Sequence, residues 1–152
     1  MNTQSEEIKP AAKSPRRRSR ELALQGIYQW RMAGGSSTQI EEQICSEKNL
    51  GRYDRALLKE LLGGALAQHA GIEAAITPHL DRELAELSPI ELSVLLLAAY
   101  ELMHHPETPY RVIINEAVEL AKTFGGADGH KYVNGVLDKL AAQVRAVEAA
   151  AK

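Results

Sequence analysis

Arg16, Arg17, Arg18 and Arg20 crowd one short stretch of this chain, and Tyr28 follows eight residues later. Clustered permanent cations suit a partner bearing phosphates, and an aromatic ring nearby suits the stacking of a base. With Lys9 and Lys13 these arginines make six cations against Glu6 and Glu7. Residues 1–20 therefore carry +4 of a net −2, which leaves −6 on residues 21–152. A basic end on an acidic body gives a directional surface. The pairing of charge and ring recurs near the other end, in TFGGADGHKYVNGVLDKL. There a glycine-rich loop containing Asp128 leads into His130, Lys131 and Tyr132. Free N–H groups at a helix start attract anions, Lys131 adds charge, and Tyr132 offers a second stacking surface. The competing readings are a solvated basic tail for the first stretch and an ordinary helix–loop–helix turn with a packed tyrosine for the second.

Other reactive residues point away from catalysis. Cys45 is the only cysteine, so no internal disulfide or cysteine-built metal site can form, and its setting in IEEQICSEKN suits packing. His104 and His105 are adjacent and would diverge around a helix, before Pro106, where positive charge suits the C-terminal dipole. His69 has no partner at metal-ligand spacing and suits a core or boundary position. The chain has no GxxxxGKS, HExxH, GxSxG or GxGxxG motif. Neither an enzyme, nor a cofactor, nor a metal is expected. No apolar run reaches membrane-spanning length and the first residues lack a signal-peptide pattern, so the expectation is a soluble, cytoplasmic protein.

Helices must position these groups. The composition is 45% hydrophobic but only 5% aromatic, and it lacks alternating β-branched runs, which favours helix over sheet. Residues 1–13 show no periodicity and read as a disordered tail; residues 14–148 read as one domain. Ser14 and Pro15 mark an N-cap and first helical residue, placing Arg16, Arg17 and Arg18 in the first turn. The helix dipole disfavours cations there by about 0.3–1 kcal/mol each, so the arginines do not serve the helix. Ala23, Ile27 and Trp30 share one face of it, while Arg17, Glu21 and Tyr28 line the other. Gly34 and Gly35 stop this helix, and Thr38 with Glu41 fits a capping box for a short second one.

From Asp54 the pattern predicts about six turns of continuous helix before Pro78, with Gly63 and Gly64 inside it for close approach of another helix. One or two turns fit Asp81 to Leu87. Ser88, Pro89 and Glu91 start a helix that is apolar almost all round, the buried centre of the domain. Thr108 and Pro109 start another, with Ile113, Ala117, Leu120 and Phe124 inward. The last runs from about His130, with Val133, Leu140, Val144 and Val147 inward, Gly135 again accommodating a neighbour, and an alanine-rich tail that frays. The architecture is all-α, a single compact domain of about six or seven helices.

Three motifs, RRRSRELALQGIYQW, PYRVIINEAVELAKTFG and HKYVNGVLDKL, occur in an order that resembles the NusB family of bacterial transcription antitermination factors. The likeness extends over Arg16 to Leu140. It implies two helical subdomains and no enzymatic activity. It implies binding of boxA sequences in ribosomal RNA leader transcripts together with NusE, a small-subunit ribosomal protein, within an RNA polymerase antitermination complex. By this resemblance RNA contacts fall on Arg16, Arg17, Arg18, Arg20 and Tyr28, and on Asp128, Lys131 and Tyr132. NusE contacts fall on Arg82, Glu86, Leu87 and Glu91. The segment Gly34–Arg52 matches no family motif. Some relatives form homodimers that cover the RNA-binding face, and the sequence leaves a homodimer open. Two alternatives stand beside this one: a helical adaptor that binds only protein, and an RNA-binding appendage like those of rRNA methyltransferases.

Overall fold

The computed structural model describes residues 13–151; apart from Lys13, the predicted tail lies outside the described residues. Among the described residues eight α-helices follow one another: α1 Pro15–Ala33, α2 Ser37–Cys45, α3 Arg55–Ala67, α4 His69–Ile76, α5 Pro89–His104, α6 Tyr110–Phe124, α7 Gly129–Val144 and α8 Ala146–Ala151. Single 3-10 turns lie at Thr77–His79 and Leu84–Glu86, and no strand occurs among the described residues. The chain is all-α, as its composition implies.

The two subdomains meet along α1 and α5. In the first, α1, α2 and α3 pack together; in the second, α6, α7 and α4 surround α5, and α1 lies on α5 to join them. Every residue of α5 from Leu92 to Leu102 is buried. Burying each of its leucines stabilises the fold by about 1.5–3 kcal/mol relative to exposure, which is why this run forms the axis. The helix starts follow the sequence. Ser14 Oγ accepts the Arg17 N–H at 3.1 Å, and Ser88 Oγ accepts the Glu91 N–H at 3.1 Å.

Several local expectations change. The α2 cap is Ser36, whose Oγ accepts the Gln39 N–H at 3.1 Å; Thr38 lies inside the helix. The predicted helix from Asp54 breaks at Gln68 (φ −104°, ψ 13°), so α3 and α4 are separate elements. Gly64 does admit a neighbour: a β-carbon there would overlap the Tyr100 ring and hydroxyl. Gly63 meets only Ser37 Oγ, at 4.0 Å, and Gly135 has no neighbour within 4 Å, so close packing explains neither.

The C-terminus also differs. The chain turns at Arg145 into α8, and Val147 is exposed rather than buried. Arg145 is 8% exposed and donates to the Leu102 and His105 carbonyls, each at 2.8 Å, which meets the free C-terminal acceptors of α5. Glu148 pairs with Arg145 at 2.6 Å and accepts the Tyr110 N–H at 2.9 Å. It therefore supplies the start of α6 with the cap that Thr108 does not provide. The Tyr110 N–H, and then Arg145, hold the Glu148 carboxyl below the usual range.

Candidate nucleic-acid interface

The arginines at the start of α1 have three different fates. Arg16 is exposed and has no ion-pair partner among the described residues. Arg17 faces Glu116 of α6 through two hydrogen bonds, at 3.1 and 2.7 Å. Arg18 donates to Glu21 at 2.8 Å and to the Leu50 carbonyl at 2.7 Å, and Lys13 reaches the same Glu21 carboxylate at 2.8 Å. Glu21 is thereby buried beneath its cations, although periodicity put it on the open face. These carboxylates offset part of the dipole penalty at this helix start. The Arg17–Glu116 pair is exposed, and such pairs contribute only about 0–1 kcal/mol, so an incoming phosphate can displace it.

Arg20 is a correction. It is 4% exposed and forms a two-point pair with Glu101 of α5, Nε to Oε2 at 2.8 Å and Nη2 to Oε1 at 2.9 Å. It ties α1 to α5 and cannot face RNA. The signal was available: Arg20 and Ile27, seven residues apart, lie about 20° from each other around the helix, on its core face. Glu101 is likewise a lone carboxylate in an apolar run, and a buried charge requires a partner.

Tyr28 sits half-buried in a groove of 210 Å³ with Arg18, Glu21, Leu24, Gln25, Ile90 and Phe124, the Glu21 carboxylate being held by Arg18 and Lys13. Phe124, the last residue of α6, is 46% exposed there and not packed inward. Sequence periodicity missed it; its position immediately before the glycine loop was the available signal. A cation, two rings and apolar walls thus share one open surface, which suits an unpaired base with its phosphate.

The second group lies around the corner of α5. Asp128 precedes α7 and is exposed, with Lys131 Nζ 3.7 Å from its Oδ1. Tyr132 is half-buried; its hydroxyl accepts the Asp81 N–H at 3.3 Å, and the Arg82 guanidinium lies 4.4 Å from its ring centre. Arg82 also pairs with Asp81 at 2.6 Å and holds the Asp81 carboxyl below its usual range. Residues predicted for two different partners, Tyr132 for RNA and Arg82 for protein, therefore touch.

The start of α5 bridges the two groups. Ile90 lines the Tyr28 groove and lies near Gly125, where a β-carbon would stand 3.7 Å from its Cγ2. Next to it, Glu91 fills the place of a Gly129 side chain, its carboxylate against the first residue of α7. Negative charge suits that end of a helix. The capping box belongs instead to Glu86, whose carboxylate accepts the Glu83 N–H at 2.8 Å in the 3-10 turn. Leu87 is the other correction, 6% exposed and part of the core, so it supports this turn from below.

Among the described residues no cluster of His, Cys, Asp and Glu could hold a metal, and no helix is long and apolar enough to cross a membrane. His105 is engaged at its helix end by Glu60 at 3.0 Å and Glu107 at 2.9 Å. His69 is a boundary residue, its ring centre 4.8 Å from that of Trp30.

Fold and surface together define an all-helical protein with two groups of cations and rings on either side of the start of a buried central helix. Residues 17–142 match the model of the NusB family. A transcription antitermination protein NusB from Nitrosomonas eutropha is 60% identical over 136 residues, covering 90% of this chain and 81% of that protein. One from Burkholderia lata is 57% identical over 140 residues, covering 92% and 97%. The solved T. maritima NusB superposes with a TM-score of 0.75 at 31% identity, covering 87% of this chain and 94% of its own. A NusB in a crystal structure of the antitermination factors NusB and NusE with dsRNA gives 0.74 at 25% identity, covering 82% and 93%. The chain belongs to the NusB family, whose members here are transcription antitermination proteins and not enzymes.

Proposed function

We propose that this protein binds boxA RNA of ribosomal RNA leader transcripts together with NusE, and that the complex supports processive transcription by RNA polymerase in the cytoplasm. The observation that carries the reading is the groove shared by Arg18, Tyr28 and Phe124, with Arg16 and Arg17 on the same helix start. Cations there hold phosphates, and the rings receive unstacked bases of a single strand. Lys131 and the Asp128 loop extend the surface beyond Glu91. One structural relative is crystallised with NusE and dsRNA, which supports NusE and RNA as partner classes. Arg82, Glu86 and Glu91 form the proposed NusE surface, and the Arg82–Tyr132 contact joins it to the RNA face.

Titration of boxA RNA and a scrambled sequence, each with and without NusE, tests this. The expected result is weak binding by the protein alone, tightened by NusE for boxA and not for the scrambled strand. Equal affinity for all four combinations would contradict the reading, and NusE binding without any RNA binding would favour a protein-only adaptor.

A further inference from the structure

We infer that the cleft between the start of α1 and the loop before α3 is a second phosphate site, which carries a single RNA strand onward from the Tyr28 groove; this rests on the RNA-binding reading above. The cleft has a volume of 450 Å³ and is lined by Lys13, Arg18, Asn49, Leu50, Gly51 and Arg52. Asn49 (φ 63°) and Gly51 (φ 80°) turn the chain through left-handed conformations, and Arg18 Nε fixes the turn to α1 through the Leu50 carbonyl at 2.7 Å.

The charge is one-sided. Three cations line the cleft and no carboxylate does. Glu21, 7% exposed, lies beneath Lys13 and Arg18, and Asp54, two residues from Arg52, has its carboxylate on the Leu57 N–H; three cations against these two carboxylates leave a positive balance on a chain whose body is acidic. Arg52 is exposed and has no ion-pair partner among the described residues, whereas Arg55, the next cation along, is taken by Glu41 at 3.2 Å. A free cation beside a cleft of this size suits a phosphodiester. Arg18 supplies continuity, since it lines both this cleft and the Tyr28 groove. A strand seated on Tyr28 and Phe124 reaches Arg52 by passing over Arg18.

The test is Arg52→Ala, with Arg52→Glu as a second variant, on boxA RNAs shortened stepwise from each end. Arg52 is exposed, so thermal melting should match the unaltered protein. On the longest RNA, Arg52→Ala should weaken binding by up to about fivefold, the scale of one exposed ion pair. The slope of log K against log salt should become shallower by about 0.7, one single-strand phosphate contact. Arg52→Glu should weaken it further. Both losses should vanish once shortening from one end removes the nucleotides that reach the cleft. Unchanged affinity and slope, on an RNA that the unaltered protein binds, would overturn this second site alone, as would a loss that persists on every shortened RNA. Failure of the unaltered protein to bind any RNA would overturn the functional reading and this inference with it.

Discussion

Replacing Arg20 by alanine separates the two roles that an arginine can play in this chain. Arg20 and Glu101 are 4% and 2% exposed and joined by hydrogen bonds of 2.8 and 2.9 Å, so truncating one strands the other's charge between α1 and α5. Breaking a buried pair from one side costs about 3–5 kcal/mol. At roughly 2–4 °C per kcal/mol for a chain of this size, the melting midpoint should fall by about 6–20 °C. Arg20→Lys should rescue little, because an ammonium cannot reproduce the two-point geometry. The double variant Arg20→Met, Glu101→Leu removes both charges and should recover most of the loss, since apolar replacements of buried pairs are often neutral or better. Circular dichroism melting gives the stability, and RNA titration well below each midpoint gives the function. Folded Arg20→Ala should bind RNA as the unaltered protein does. A normal melting temperature with lost RNA affinity would refute the assignment of Arg20 to the core.

Other substitutions test other parts of the account. Gly64→Ala should destabilise by about 1–3 kcal/mol through overlap with Tyr100, whereas Gly135→Ala, in open space on a helix, should stabilise by up to about 1 kcal/mol; denaturant unfolding distinguishes the signs. Tyr28→Ala and Phe124→Ala should each weaken RNA binding by about 1–3 kcal/mol if their rings stack on bases, with little change in melting temperature. The Glu148 carboxyl sits below its usual range, so its contribution is present above the unfolded value of about 4.3 and is lost as pH falls through that value toward the folded one. Glu148→Gln should accordingly make stability less steeply dependent on pH in that acid window, measured by urea unfolding.

Local signals in this sequence were legible and distant ones were not. Ser14 with Pro15, Ser88 with Pro89 and the apolar run Leu92–Leu102 each specify structure within a few residues, and all three stand where they were expected. Arg17 and Arg20 look alike in sequence. Helical periodicity puts Arg20 on the core face with Ile27, but the partners that settle each fate, Glu116 and Glu101, lie 99 and 81 residues away and are supplied by packing. Capping by Glu148 was hidden for the same reason, since it replaces a local cap at Thr108 with a carboxylate from the chain's end. The two halves of the candidate site were each visible as charge beside a ring. That they meet across Ile90 and Glu91 emerges only from packing around α5.

The central claim is that the face around Arg16, Arg17, Arg18 and Lys131 holds the phosphates of single-stranded RNA. Its most direct measurement is the salt dependence of boxA affinity. Four such contacts predict a slope of log K against log salt of roughly −3, steeper where the strand also reaches Arg52. A slope near zero would contradict the claim.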